Sequence, residues 1–288
     1  MGFPEAGGPS YVPRRHQEDM ALRPSFREEQ VAIIQAFLRH HWEESGRDGV
    51  VLGLSGGLDS SVTAGLLAGA IGPDKVLGLA LPLTAGDSRD ARDAEAWAKH
   101  LGIRFRTVEI GPMVDALVES LAISQEDRIG RGNVHARIRM IVLYQAAHAE
   151  NRLVIGTSNK SEYFSGYFTM FGDGGCDFAP LGDLYKTQIR GMARHLGLPE
   201  RILEKVPSAG LWEGQTDEGE LGISYEDLDR VLLGLELEMP SEEIVSRTGL
   251  AEQTVERVSE MVRRSIHKRK MPLIPKVGIR TLGLDWRE

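Results

Sequence analysis

The stretch "VVLGLSGGLDSS", Val50 to Ser61, decides the fold. Its first half, Val50 to Ser55, is an apolar run of the length and composition of a buried strand, and its second half opens a helix. Gly56 and Gly57 lack a Cβ, so backbone N–H groups at this turn can converge on an anion. Asp59, Ser60 and Ser61 then begin a helix whose N-terminal dipole adds to the attraction. The turn lacks the lysine of the Gly-Lys-Ser/Thr loops that handle transfer of a terminal phosphoryl group. It carries Asp59 instead. Bound phosphates would repel that carboxylate unless a divalent cation lay between them, so the residue points to Mg²⁺.

Outward from this turn the same alternation continues. "VLGLALPL" (Val76 to Leu83), "IRFRTVEI" (Ile103 to Ile110) and "RLVIGT" (Arg152 to Thr157) read as three further strands. Between the second and third, "SRDARDAEAWAKHLG" sets Ala91, Ala94, Ala98 and Leu101 on one helical stripe, with Gly102 as its stop. Such a β-α-β series predicts an α/β fold, a doubly wound, Rossmann-like parallel sheet flanked by helices. In such sheets ligands sit beyond the carboxyl ends of the strands, where both "SGGLDSS" and "GTSNKSE" fall. After about Ser208 the chain turns acidic and helical. "EQTVERVSEMVRRSI" places Val255, Val258, Met261, Val262 and Ile266 at helical spacing, and a basic cluster, "HKRKMP", follows.

Composition narrows the function. A chain of 288 residues is read as one domain, residues 25–275, with tails at 1–24 and 276–288. The net charge of −8 argues against a broad nucleic-acid footprint, so basic residues should matter locally, in pockets. No apolar run reaches the ~18 residues of a membrane span, and the first 20 residues hold no apolar core of a secretory signal. The single cysteine, Cys176, forms neither an internal disulfide nor a thiolate metal cluster. A cytoplasmic protein is expected, without nucleic-acid or membrane partners.

The loop resembles that of the ATP pyrophosphatases, marked by S-G-G-x-D-S, which cleave ATP to AMP and pyrophosphate. Four further stretches resemble the NAD synthetase family: "RGNVHARIRM" (Arg131 to Met140), "GTSNKSEYFSGYFTMFGDGGCDFAPLGDLYKTQIR" (Gly156 to Arg190), "PSAGLWEGQTDEGELGISYEDLD" (Pro207 to Asp229) and "HKRKMP" (His267 to Pro272). With the loop they span most of the chain from Gly53 to Pro272. The resemblance implies an adenine nucleotide alpha hydrolase-like fold in a homodimer with shared active sites. It implies ATP-dependent amidation of deamido-NAD with ammonia, giving NAD, AMP and pyrophosphate through an acyl adenylate.

The same resemblance implies the site. ATP would be bound by Gly53, Leu54, Ser55, Gly56, Gly57, Leu58, Asp59, Ser60, Thr157, Lys186 and Ser208, with Asp59 and Lys186 serving catalysis and Asp59 and Glu162 holding Mg²⁺. Deamido-NAD would meet Arg137, Asp177, His267, Lys268 and position 170, with some of these residues supplied across the dimer. At position 170 this sequence departs from the family's pattern "G-Y-F-T-K-x-G-D-G": Met170 replaces the lysine, and a cationic contact is missing. Arg128, Arg131 or a neighbouring subunit's residue are candidates to replace it. "GYFTMFGDGG" is expected to act as a lid over the dinucleotide, its aromatics stacking on rings and its glycines permitting motion.

"NVHARIRMIVLYQAA" is apolar on more than one face, with Val134, Ile138, Ile141 and Val142 on one side and Met140, Leu143, Tyr144 and Ala147 on another. A core helix explains the pattern; a dimer-interface helix also accounts for Arg137 and Arg139. About 50 residues precede the loop, too few for the amidase domain of glutamine-dependent relatives, so free ammonia is the expected donor. Other adenylating enzymes would share the loop, such as a GMP-synthesis amidotransferase subunit or a tRNA-thiolating enzyme, though the latter should add paired cysteines. A non-catalytic ATP sensor is the remaining alternative; Met170 favours it, and retention of Asp59, Glu162 and Lys186 opposes it.

Overall fold

The computed structural model describes residues 22–84, 89–208, 210, 212, 214–270 and 272–280. The expected tails, 1–24 and 276–288, fall largely outside these residues. The chain runs α1 (Glu29–Ser45), β1 (Gly49–Gly53), α2 (Leu58–Ile71), β2 (Val76–Ala80), α3 (Arg89–Leu101), β3 (Arg104–Thr107), α4 (Gly111–Ser120), α5 (Arg128–Ala149), β4 (Arg152–Ile155) and α6 (Lys160–Ser165). It continues through α7 (Lys186–His195), α8 (Glu200–Leu203), α9 (Asp217–Leu221), α10 (Tyr225–Glu236), α11 (Ser241–Thr248) and α12 (Glu252–Arg264).

Four parallel strands form one sheet in the order β3-β2-β1-β4. The order reverses between β1 and β4, and a crevice opens at the carboxyl ends of strands where such a reversal occurs. Each strand is shorter than its apolar run. The residues just beyond the strands keep single ladder bonds, Leu54 N to Leu79 O at 2.8 Å and Gly156 N to Phe178 O at 2.8 Å, and then turn away to build the crevice. β3 is the edge strand. Its Arg104 and Arg106 pair with Glu150 at 2.8 and 2.7 Å, and charged side chains of this kind discourage a further strand from adding.

Two layers of helix cover the sheet, as doubly wound α/β requires. On one face α1, α2, α3 and α7 bury Leu38, Leu66, Leu67, Trp97, Ile189 and Met192 against β1 and β2. On the other, α4 and α5 bury Val114, Val134 and Ile138 against Val51, Leu77 and Val154. The α3 stripe includes Ala94 and Ala98 as its spacing predicts, but its anchor is Trp97, whose indole N–H donates to Ser61 O at 2.9 Å. A third cluster joins α10, α11 and α12, where Val255 and Val258 are fully buried; Ile266 lies outside the helix and is exposed.

One glycine of the first turn is held by sterics. Gly56 has φ of +75°, and a Cβ there would stand 2.3 Å from Asp90 O, at the start of α3. Both constraints select glycine. Gly56→Ala should therefore destabilise the protein by about 1–3 kcal/mol, read as a lowered urea midpoint, with the turn displaced from α3. An unchanged midpoint would refute this packing.

Candidate active site

The crevice is built from the ends of β1 and β4 and the starts of α2, α6 and α7. β1 delivers Gly53 and Leu54 to the turn; Ser55 Oγ and Ser60 Oγ lie 3.0 Å apart, and Ser60 Oγ donates to Gly57 O at 3.2 Å. These bonds fix the loop from within. Gly57 is the N-cap of α2 and, having no side chain, leaves the first-turn N–H groups of Leu58, Asp59 and Ser60 without a side-chain cap. A 14-residue helix with an open N-terminus presents donors and a positive dipole end to an anion.

Across from this opening, Lys186 begins α7 and is 4% exposed. Its ammonium donates to Asp59 Oδ2 at 2.5 Å and to Glu162 Oε1 at 3.4 Å. Glu162 is held by a capping box: Asn159 Oδ1 accepts from Glu162 N, and Glu162 Oε2 accepts from Asn159 N. Asn159 Nδ2 also donates to Asp59 Oδ2 at 3.3 Å, so one buried amide ties both carboxylates together. The Lys186 ammonium also lies 5.0 Å from the centre of the Tyr225 ring, and Tyr225 donates its hydroxyl to Asp217 Oδ2 at 3.1 Å.

Charge in this cluster does not balance. Burial pushes the Glu162 carboxyl up to about 8 against the pull of Lys186, with the nearby Asp59 pushing the same way. Asp217 is raised for the same reason, burial first, and Lys186 only partly offsets it. Burial opposes the Lys186 charge, yet Asp59 and Glu162 together hold its ammonium well above the ordinary lysine range. One ammonium thus faces three carboxylates. Asp59 Oδ1 and Asp217 Oδ1 are also buried without a hydrogen-bond partner among the described residues. An excess of acid with orphaned carboxylate oxygens fits a hard divalent cation, which takes oxygen ligands.

Two further residues shape the cluster and carry no signal in sequence spacing. Lys205 donates to Gly56 O at 2.9 Å and pairs with Asp90 at 2.6 Å, bracing the turn from outside. Asp229, fully buried in α10, accepts from Ser161 Oγ, Thr187 N and Thr187 Oγ1 at 2.5, 2.9 and 2.8 Å. It fixes the start of α7, and with it Lys186.

The other expected residues gather around the segment after α6. Arg137 donates to Met170 O at 3.4 Å, and Asp177 accepts from Val154 N at 2.7 Å and from Tyr144 Oη at 3.3 Å. Lys268 donates to Gly166 O and Phe168 O at 2.8 Å each, and His267 Nδ1 lies 3.0 Å from Arg264 O. Thr157 is half-buried just beyond β4. Ser208 is exposed and accepts from Gly210 N at 3.1 Å rather than touching the cluster. Arg139, read as an interface residue, instead donates inward to Leu81 O at 3.3 Å. Cys176 packs on Gly156, and burial pushes its thiol up, which suits a packing role.

Comparison with known proteins places the chain in a family. The family model described as NAD synthase matches residues 30–272. The chain is 49% identical over 236 residues to the NH(3)-dependent NAD(+) synthetase of Pyrococcus furiosus, covering 82% of this chain and 91% of that one. Among solved structures, NMN synthetase from Francisella tularensis superposes with a TM-score of 0.75 at 36% identity, covering 86% of this chain and 98% of that one. The NH3-dependent NAD synthetase of Campylobacter jejuni, in complex with nitrate, gives 0.73 at 32% identity, with coverage of 86% and 98%.

Asp229 offers a test of how α7 is held. Burial raises its carboxyl to about 6, although its hydrogen bonds and Lys186 pull the other way. A carboxyl raised in the folded state contributes its stability fully below the unfolded value of ~3.9 and loses it as pH rises through 6. Asp229→Asn does not titrate. Between pH 4 and 7 the wild-type urea stability should therefore fall relative to that of the variant, by up to about 3 kcal/mol. Parallel stability curves would exclude a titrating Asp229.

Proposed function

The chain belongs to the NAD synthase family, and with that as premise we propose that it is an ammonia-dependent NAD⁺ synthetase, amidating deamido-NAD with cleavage of ATP to AMP and pyrophosphate. The observation that carries the reading is the buried Lys186 ammonium against Asp59 and Glu162, facing the uncapped N-terminus of α2. It is a site shaped for a polyphosphate and its cation.

A carboxylate is a poor electrophile, so the nicotinate carboxylate must first be activated. Its oxygen attacks the α-phosphorus of ATP, the bond from that phosphorus to the bridging oxygen breaks, and pyrophosphate leaves. Ammonia then adds to the acyl carbon of the adenylate, AMP departs, and a proton is lost from nitrogen. Charge builds on the leaving pyrophosphate in the first step, so the requirement is alignment and electrostatic stabilisation rather than a protein nucleophile. The first-turn N–H groups of α2 cradle the departing group, and Lys186, kept charged by Asp59, supplies a fixed positive charge beside it. Asp59 and Glu162 are the residues that would hold Mg²⁺, and bound there the ion would supply further neutralisation of the pyrophosphate. Thr157 and Ser208 are assigned to ATP, and Arg137, Met170, Asp177, His267 and Lys268 to deamido-NAD.

A homodimer completes this reading. Met113 on α4 and Ile141 on α5 are 42% and 57% exposed, and with Val142 they line a groove of about 640 Å³. Exposed apolar surface around a groove supports an interface there. The helix that carries Arg137 would then lie at the contact between subunits. Among the described residues no helix is long and apolar enough to cross a membrane. A cytoplasmic location is proposed with this reading.

The direct test is incubation with deamido-NAD, ATP, Mg²⁺ and ammonium, followed by assay for NAD and AMP. A parallel reaction replaces the dinucleotide with nicotinate mononucleotide, because one structural neighbour is an NMN synthetase. Absence of NAD with every partner supplied would reject the function.

Two further outcomes are expected. Asp59→Asn should keep the fold and lose about 10²-fold or more in turnover, since the loss of one such electrostatic contact costs that much; near-normal AMP release by a folded variant would overturn the assignment. Light scattering should report a dimer, and an Ile141→Asp substitution should yield monomers with impaired turnover. Full activity in a demonstrable monomer would sink the shared site.

A further inference from the structure

The last two turns of α1 carry His40, His41 and Glu44, none of which belongs to the Lys186 cluster. Glu44 stands four residues after His40 and three after His41, so its carboxylate reaches both rings along one flank of the helix. Glu44 Oε2 lies 3.4 Å from His40 Nε2 and 3.4 Å from His41 Nδ1. Both separations exceed the ~2.7–3.2 Å of an N–H···O hydrogen bond. They match a different geometry. Tetrahedral Zn²⁺, with bonds of about 2.0–2.2 Å to imidazole nitrogen and carboxylate oxygen, sets its ligand atoms about 3.3–3.5 Å apart. The two ring nitrogens lie within 4.8 Å of one another, and the His40 side chain, 64% exposed, has room to close that edge.

The surroundings hold this set in place. His41 is packed by two aromatic rings: Phe37 approaches edge-on at 4.4 Å between ring centres, and Phe178 lies at 5.5 Å. The two phenylalanines also meet each other edge to face at 5.9 Å, so the three rings form one group. Phe178 is tied to the sheet, its carbonyl accepting from Gly156 N at 2.8 Å. A ligand whose rotamer is locked by packing in this way loses little freedom when an ion binds. Charge at the helix end acts in the same direction. The last turn of α1 contains Glu43 and Glu44 and no basic residue, although the C-terminal end of a helix favours cations. A bound cation would offset both the carboxylates and the dipole.

We propose that His40 Nε2, His41 Nδ1 and Glu44 Oε2 form a site for a divalent transition ion of the zinc type, with its fourth position open to solvent. Two imidazoles and one carboxylate with an open position are a ligand set that Zn²⁺ takes. Imidazole donors favour Zn²⁺, Ni²⁺ and Cu²⁺, whereas Mg²⁺ takes oxygen. The site therefore differs in chemistry from the carboxylates of Asp59 and Glu162, and it stands independently of the function proposed above. All three ligands lie on one helix, so the ion clips the last two turns of α1 and, through His41, braces them against Phe178.

The test is calorimetric and needs no turnover. The full chain, free of any affinity tag, is titrated with Zn²⁺ in a large excess of Mg²⁺. His40→Ala and Glu44→Gln, both at exposed positions and checked for fold by circular dichroism, should each weaken Zn²⁺ binding about tenfold or more, since the loss of even an outer-shell partner costs ~10–100-fold. Asp59→Asn should bind Zn²⁺ within twofold of wild type. Zn²⁺ should also raise the urea midpoint of the wild-type chain and leave that of His40→Ala unmoved, because an ion that binds only the folded chain stabilises it. The proposal is overturned if the wild-type chain binds no Zn²⁺, or if either α1 variant binds it within twofold of wild type. A loss of Zn²⁺ affinity in Asp59→Asn equal to that in His40→Ala would seat the ion in the crevice and overturn it as well.

Discussion

The ion pair between Lys186 and Asp59 is the constraint on which the rest of the structure depends. A buried ammonium is costly unless paired, and a buried carboxylate equally so. The two therefore have to arrive together, although 127 residues of chain separate them. Asp59 comes from the turn after β1, Glu162 from the helix after β4, and Lys186 from the first turn of α7. Only a sheet in which β1 and β4 are neighbours, with α7 packed on α2, brings the three to one point. The doubly wound topology is in this sense a device for closing one electrostatic contact.

That contact is deliberately incomplete. Three acids surround one lysine, and the Glu162 and Asp217 carboxyls are raised by burial first, with Asp59 adding to it. A structural ion pair would be expected to neutralise itself, whereas this cluster leaves acid unmatched, as perturbed groups at functional sites do. The orphaned oxygens of Asp59 and Asp217 express the same incompleteness in hydrogen bonds. The start of α7 is fixed by Asp229, whose carboxyl accepts from Thr187 N and Thr187 Oγ1.

How much of this could be read in the sequence follows from the range of each interaction. The strands and the first turn were legible because a buried strand must be apolar and a tight turn must be glycine, both local demands that "VVLGLSGGLDSS" displays. The strand ends were not, since the apolar runs continue past the sheet into the cores, as Leu54 and Leu81 do. Asp59, Lys186 and Glu162 were named through resemblance, and the structure brings those three together. Asn159, Lys205 and Asp229 were missed, because each acts through partners distant in sequence and an isolated Asn, Lys or Asp is ordinarily a surface residue. Arg139 misled for a related reason. Helical spacing gives the face of a residue but not the element which that face meets.

The basic segment after α12 shows how a charged run can serve the fold. Read alone, Lys268 and Arg269 are cations awaiting an anion, but the structure gives their donors to backbone carbonyls. Lys268 donates to Gly166 O and Phe168 O, while Arg269 donates to Tyr163 O, Phe164 O and Val262 O. Apart from Val262 O, which belongs to α12, these carbonyls lie at and just after the C-terminal end of α6, the helix whose first turn carries Glu162, where backbone acceptors have no partner within the helix. The segment thus clamps the base of "GYFTMFGDGG". An ammonium has three donors, and two of those on Lys268 are used in this clamp. The clamp joins the end of α6 to a side chain 102 residues further along, and this long-range contact explains why the basic cluster sits so far along the chain from the helix it completes.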